Sequence, residues 1–139
     1  MTCILAIETS CDETSAAVLL PGTPDPLASL VILSQDVHRI FGGVVPELAS
    51  RQHLKTITAV VDQAIADADI SSGAVTGIAV TAGPGLVGAL LVGVMYGKTL
   101  AYALDVPILG VNHLEGHLFA PTLEFPDLKP PFVSLLVSG

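Results

Sequence analysis

Residues 70–97 carry no charged side chain. A run that long without charge is expelled from water and must end in a protein core or a bilayer. Its interior decides between the two. Gly83-Pro84-Gly85 breaks it into two pieces, each too short to cross a bilayer, and Thr76, Gly77 and Thr81 dilute the first. Residues 70–97 therefore read as a buried strand, a tight turn and a helix that is apolar on most sides and so buried. Gly93-x-x-x-Gly97 then marks close helix packing in a core rather than a pair of membrane helices.

The flanking segments extend the pattern. Residues 4–7 form a short apolar run, 15–20 a second strand, and 27–34 a third with β-branched Val31 and Ile32. The cluster Pro21-Gly22-Thr23-Pro24-Asp25-Pro26 breaks the chain between the last two. Short connections predict an antiparallel meander. Pro46 suits the first turn of a helix. Leu48, Leu54, Ile57, Val61, Ala64 and Ile65 recur at helical spacing and predict an amphipathic helix to about residue 68. Residues 77–81 and 106–111 read as strands, and 86–104 as the helix between them. Asn112 can cap a short helix over 113–119. Pro126, Pro130 and Pro131 mark a loop, and 132–137 reads as a last strand. The order βββαβαβαβ implies an α/β fold with a mixed sheet and helices on its faces.

Composition narrows the partners. With 51% hydrophobic and 13% charged residues, the chain can bury a core and is not a disordered segment. Its net charge is −8 and its pI about 4.6. The basic residues Arg39, Arg51, Lys55, Lys98 and Lys129 are scattered, which excludes broad contact with phosphate backbones by this chain alone. Cys3 and Cys11 are too few for a disulfide scaffold, and the N-terminus lacks the basic segment of a signal peptide. These features predict a reduced, cytoplasmic setting and no membrane partner.

Chemistry concentrates in few places. In His113-Leu114-Glu115-Gly116-His117 the histidines are four apart, so a helix puts their Cβ atoms about 5–6 Å apart on one face. Such a pair can chelate one metal ion or simply face solvent. The spacing matches half of the HExxH zinc motif, but Leu114 stands where that motif has its general-base Glu. Two histidines are incomplete as a ligand set, and Glu115, Glu124 and Asp127 are the only nearby acids, none well placed to complete it. Glu8-Thr9-Ser10-Cys11-Asp12-Glu13-Thr14 joins two strands. Its acids and hydroxyls can hold Mg²⁺ through water beside a nucleotide, or form a solvated turn. Thr81-Ala82-Gly83-Pro84-Gly85-Leu86 leads into a helix N-terminus, which favours an anion, or is only a tight turn. Gly97-Lys98-Thr99 lies inside a helical pattern without the upstream glycine of a P-loop, and Lys98 takes no phosphate role. Leu136-Val137-Ser138-Gly139 can present backbone N–H groups to a phosphate.

Together, several of these segments resemble the TsaD family, formerly labelled sialoglycoprotein endopeptidase. The resemblance is carried by Ile7-Glu8-Thr9-Ser10-Cys11-Asp12-Glu13-Thr14, Gly42-Gly43-Val44-Val45-Pro46-Glu47-Leu48-Ala49-Ser50-Arg51, Thr81-Ala82-Gly83-Pro84-Gly85-Leu86-Val87-Gly88, Gly97-Lys98, Asn112-His113-Leu114-Glu115-Gly116-His117 and Leu136-Val137-Ser138-Gly139, in the family's order. It implies an actin-like ATPase fold of two lobes, with residues 1–139 as the N-terminal lobe and the second lobe outside this chain. It implies His113 and His117 as ligands of one divalent metal, iron or zinc, with a third ligand in the second lobe. Asp12 and Glu13 match acidic active-site positions, with Mg²⁺ as a further ion. Leu136, Val137, Ser138 and Gly139 match the start of the loop that contacts ATP or the threonylcarbamoyl-adenylate.

The implied activity is transfer of threonylcarbamoyl to N6 of the adenosine beside the anticodon of tRNA. The implied partners are tRNA, a TsaB-type paralogue, a TsaE-type ATPase and a TsaC-type enzyme that supplies the adenylate. By the same resemblance, this piece alone is expected to be inactive. Two other functions stand beside this one. A metalloendopeptidase would use the same histidine pair, and a non-catalytic paralogous scaffold would share the fold but lack the pair.

Overall fold

A computed structural model describes residues 1–137. The strands are β1 (Ile4–Glu8), β2 (Glu13–Leu19), β3 (Leu27–Ser34), β4 (Gly77–Gly83) and β5 (Ile108–Asn112). The helices are α1 (Pro46–Asp67), α2 (Val87–Leu104), α3 (His113–Phe119) and α4 (Pro121–Glu124). One five-stranded sheet runs in the order β3-β2-β1-β4-β5. β1, β2 and β3 form the expected antiparallel meander, while β4 pairs parallel with both β1 and β5. β4 and β5 each follow a long helix, which carries the chain back for parallel pairing.

Alternation along the strands builds a core on one face. Leu5, Ile7, Ala16, Val18, Ile78 and Val80 are buried there, beneath α1 and α2. α1 turns Ala49, His53, Ile57, Val60, Val61 and Ala64 toward them. The helix is where the sequence placed it, but its face is rotated from the expected one. Leu54 is 67% exposed, whereas His53 is fully buried. An imidazole is tolerated inside because both its ring nitrogens find partners, described below.

The expectation that α2 is buried on most sides is corrected. Its core face is the small-residue stripe Ala89, Gly93, Gly97 and Ala101, while Val87, Leu91, Met95 and Tyr102 are exposed. Small residues let the helix axis approach the sheet closely. The Thr9 hydroxyl donates to the Ala89 carbonyl at 2.7 Å and accepts from the Gly93 N–H at 3.2 Å. Gly97 rests on Ile78, Val80 and Ile108. By length and composition α2 could span a membrane, but these contacts seat it on the sheet.

The opposite face carries small residues, Ala6, Ala17 and Ala79, with Leu30 and Ile32 half exposed. α3 and α4 stand over the end of that face where β1 gives way to the turn leading into β2. The expected strand over 132–137 is not formed, so the observed order is βββαβαβαα rather than βββαβαβαβ. After Pro130 and Pro131 this segment meets no neighbouring strand, and Val133, Leu135 and Val137 are exposed. A lone strand has no partner for its backbone groups and does not persist.

A Cβ at position 93 would collide with the Thr9 hydroxyl. Gly93→Ala should therefore lower stability by about 1–3 kcal/mol despite the better helix propensity of alanine. Urea denaturation checks this through the midpoint at constant slope. An unchanged or raised midpoint contradicts the close approach.

Candidate functional site

The site is assembled around the C-terminal end of β1. Glu8 is a carboxylate at the end of an apolar strand, a position that has to be satisfied by neighbours. One of its oxygens accepts from the Ser10 N–H, folding the chain into the turn that leads to β2. The other accepts from the Thr81 hydroxyl on β4 at 2.6 Å. The same oxygen lies 3.3 Å from Nδ1 of His113, the first residue of α3. Burial pushes the Glu8 carboxyl up, but the hydrogen bonds from Ser10, Thr81 and His113 outweigh it and hold the group below the usual carboxylate range. Glu8 therefore stays ionised and orients the ring of His113.

α3 starts where the sequence predicts. The Asn112 side chain accepts from the N–H of Leu114 at 2.9 Å and of Glu115 at 3.4 Å. That cap fixes the first turn, so His113 and His117 stack on one face with ring centroids 4.5 Å apart and planes nearly perpendicular. Their Nε2 atoms are 3.1 Å apart. Bonds of about 2.0–2.1 Å to one ion would then subtend an angle of roughly 100° at that ion. With Nδ1 of His113 turned to Glu8 and to the Ser10 hydroxyl at 3.1 Å, its Nε2 lone pair points outward. A carboxylate behind a histidine is the usual support of a metal ligand. The donor set fits a divalent cation. Among the described residues no third His, Cys, Asp or Glu joins the pair.

A cleft of about 470 Å³ opens between the turn after β1 and helices α3 and α4. Asp12, Glu13, His113, Gly116 and His117 line it. The side chain of Glu13 is tied to the Ser34 hydroxyl at 2.9 Å across the β2–β3 pair. Partial desolvation, together with the neighbouring carboxylates of Asp12 and Glu8, pushes the Cys11 thiol pKa up.

Four expected site residues, Asp12, Glu13, His113 and His117, thus share one cleft. Leu136 and Val137 are exposed and do not line it, and Ser138 and Gly139 lie outside the described residues. The turn before α2 is a tight turn packed against the Ser10 loop. The N–H of Leu86 is taken by the Ser10 carbonyl at 2.8 Å. A Cβ on Gly85 would come within 2.7 Å of the same carbonyl. Gly85 is needed for this close approach of two loops. Lys98 lies within α2, away from the cleft. Sequence reasoning overlooked Glu8, Ser10 and Thr81 as the groups that orient His113. An acid closing an apolar strand was the available signal for Glu8.

Against known proteins, the family model described as "TsaD: tRNA N6-adenosine threonylcarbamoyltransferase" matches residues 27–139. The chain belongs to the TsaD family. A relative from Gemmatimonas aurantiaca with that transferase name is 61% identical over 138 residues, covering 98% of this chain and 38% of the relative. One from Clostridium kluyveri is 58% identical over 137 residues, covering 98% and 40%. The chain thus spans about two-fifths of the length of these curated relatives. Among solved structures, "YeaZ from Pseudomonas aeruginosa" superimposes with a TM-score of 0.64 at 23% identity, covering 91% of this chain and 50% of that one. A Thermus thermophilus RuvC bound to a Holliday junction reaches 0.50 at 9% identity, over 86% and 71%. Such likenesses concern the fold alone, and they place this TsaD-family sheet among actin-like, ribonuclease H-like folds.

Glu8→Gln should weaken Zn²⁺ binding by about 10- to 100-fold while leaving both histidines in place. His117→Ala should remove stoichiometric binding. Titration calorimetry of the full-length protein measures both. Equal affinity of the Glu8→Gln variant and the parent would show that Glu8 does not support the ligand.

Proposed function

We propose that these residues form part of a tRNA N6-adenosine threonylcarbamoyltransferase, in the N-terminal lobe of a two-lobed enzyme. The observation that carries this reading is the convergence of His113, His117 and Asp12 on one cleft in a chain of the TsaD family. His113 and His117 would hold a divalent ion, iron or zinc, through Nε2. When bound, such an ion supplies Lewis acidity and a template for the adenylate. A third ligand would come from outside this chain.

The remaining work falls to the chain's own groups. Glu8 keeps the ring of His113 in one orientation. Asp12 accepts the proton released as the N6 amine of the adenosine attacks the carbonyl carbon of threonylcarbamoyl-adenylate. A C–N bond forms, the bond from that carbon to the phosphate oxygen breaks, and AMP leaves. Glu13, tied to Ser34, adds negative charge at the rim and can hold Mg²⁺ through water. In the same proposal Leu136, Val137, Ser138 and Gly139 begin a loop toward the nucleotide.

With a net charge of −8, this lobe is a poor surface for tRNA by itself. Further chain or partners would supply the basic surface. A TsaB-type paralogue and a TsaE-type ATPase fit that role, with a TsaC-type enzyme providing the adenylate in the cytoplasm. The peptidase alternative is disfavoured by Leu114, which cannot act as the general base of an HExxH site.

Transfer of labelled threonylcarbamoyl to tRNA by the full-length enzyme, with its partners present, tests the reading. Asp12→Ala should lower kcat by about 10²- to 10⁴-fold. Transfer at the parent rate would remove Asp12 from the mechanism. Absence of transfer by the parent, with cleavage of a glycoprotein instead, would replace the function.

A further inference from the structure

The turn that carries Asp12 and Glu13 is gripped from behind. The Cys11 carbonyl accepts from Nε2 of His53 at 2.8 Å, and the Asp12 carbonyl accepts from the Gln35 N–H at 3.1 Å. His53 sits in the middle of α1 with no exposed surface. A carbonyl only accepts, so the ring proton of His53 is on Nε2 and its Nδ1 is an acceptor. Nδ1 takes the Thr14 hydroxyl at 2.8 Å. A single ring therefore holds the residue before Asp12 and the residue after Glu13.

Gln35 extends the grip. Its side-chain amide donates to the Ala49 carbonyl at 3.2 Å, and its side-chain oxygen accepts from Nε2 of buried His38 at 2.7 Å. His38 in turn accepts the Val45 N–H at 3.2 Å, just before α1 begins. No buried side-chain nitrogen or oxygen among the described residues is left without a partner. A leucine at position 53 would fill a similar volume on this apolar face without burying polar atoms. What the imidazole adds is the pair of bonds to the turn.

We propose that His53 is a positioning residue, whose ring, with Gln35 as second grip, sets where Asp12 and Glu13 stand in the cleft opposite His113 and His117. Its effect on catalysis rests on the function proposed above, whereas its hold on the turn does not. The two are separable by experiment. Gln at position 53 can place an amide N–H where Nε2 stands, while Asn reaches only the Nδ1 position. Cys11 is an exposed thiol inside the turn, and Cys3 is buried. Alkylation of Cys11 by iodoacetamide, followed by peptide mass, therefore reads the freedom of the turn without reference to activity.

In the full-length enzyme, His53→Asn should speed Cys11 alkylation about threefold or more. It should lower kcat for tRNA modification by about 10- to 100-fold with little change in KM. His53→Gln should restore both to near the parent values, and Zn²⁺ binding at His113 and His117 should be kept in both variants. The proposal is overturned if His53→Asn leaves Cys11 alkylation unchanged. It is equally overturned if alkylation accelerates while kcat stays within about twofold, provided Asp12→Ala is impaired in the same assay. If Asp12→Ala is fully active, the function reading fails instead, and the alkylation result alone decides whether His53 holds the turn.

Discussion

The carboxylate of Glu8 ties the site together. It ends β1, receives the hydroxyl of Thr81 from β4, bends the chain through the Ser10 N–H and backs the ring of His113 on α3. Three elements far apart in sequence thus meet at one anionic group in partly buried surroundings, where charge-assisted hydrogen bonds are strong. Without that group the parallel pairing of β1 and β4 would still form, since it rests on apolar burial. The orientation of His113 relative to the acidic turn would not be fixed.

Geometry around the carboxylate follows from close approach. Gly85 lets the loop before α2 touch the Ser10 carbonyl, and Gly93 lets α2 settle against Thr9. Both contacts fall on residues neighbouring Glu8 in the turn. The small-residue face of α2 thus serves the site as well as the core, because it clamps the backbone from which Glu8, Asp12 and Glu13 project. On the far side His53 and Gln35 clamp the same backbone. The acids stand between two rigid supports, which is what a reacting group needs if its position is to be set before substrate arrives.

Much of this was legible in the sequence because it rests on local signals. The meander, the breaker at 21–26, the cap at Asn112 and the spacing of His113 and His117 are each encoded within a few residues. The Asp12–Glu13 turn and the histidine pair were both found, although only the fold could bring them to one cleft. What escaped was non-local. The face of α1 was misjudged at Leu54 and His53, because hydropathy ranks leucine inside and histidine outside. The partners that reverse the order, Thr14 and the Cys11 carbonyl, lie 39 and 42 positions away. α2 was taken as apolar on most sides and so buried, because hydropathy does not show that its fully buried stripe is Ala89, Gly93, Gly97 and Ala101. The strand expected at 132–137 failed for a related reason: β propensity does not supply a neighbouring strand. Glu8 was inside a motif that had been noticed, yet roles went to the acids beside it, since its partners Thr81 and His113 are distant in sequence.

The central claim is that two imidazoles one helical turn apart, with Glu8 behind the first, clasp a single cation in the acidic cleft. Crystals of the Zn²⁺-loaded full-length protein, measured at the zinc absorption edge, test it most directly. The account predicts one strong anomalous peak bonded to Nε2 of both His113 and His117, with the Glu8 carboxylate on Nδ1 of His113. A peak bonded to only one of these rings, or an ion seated elsewhere while the two rings point apart, would contradict it.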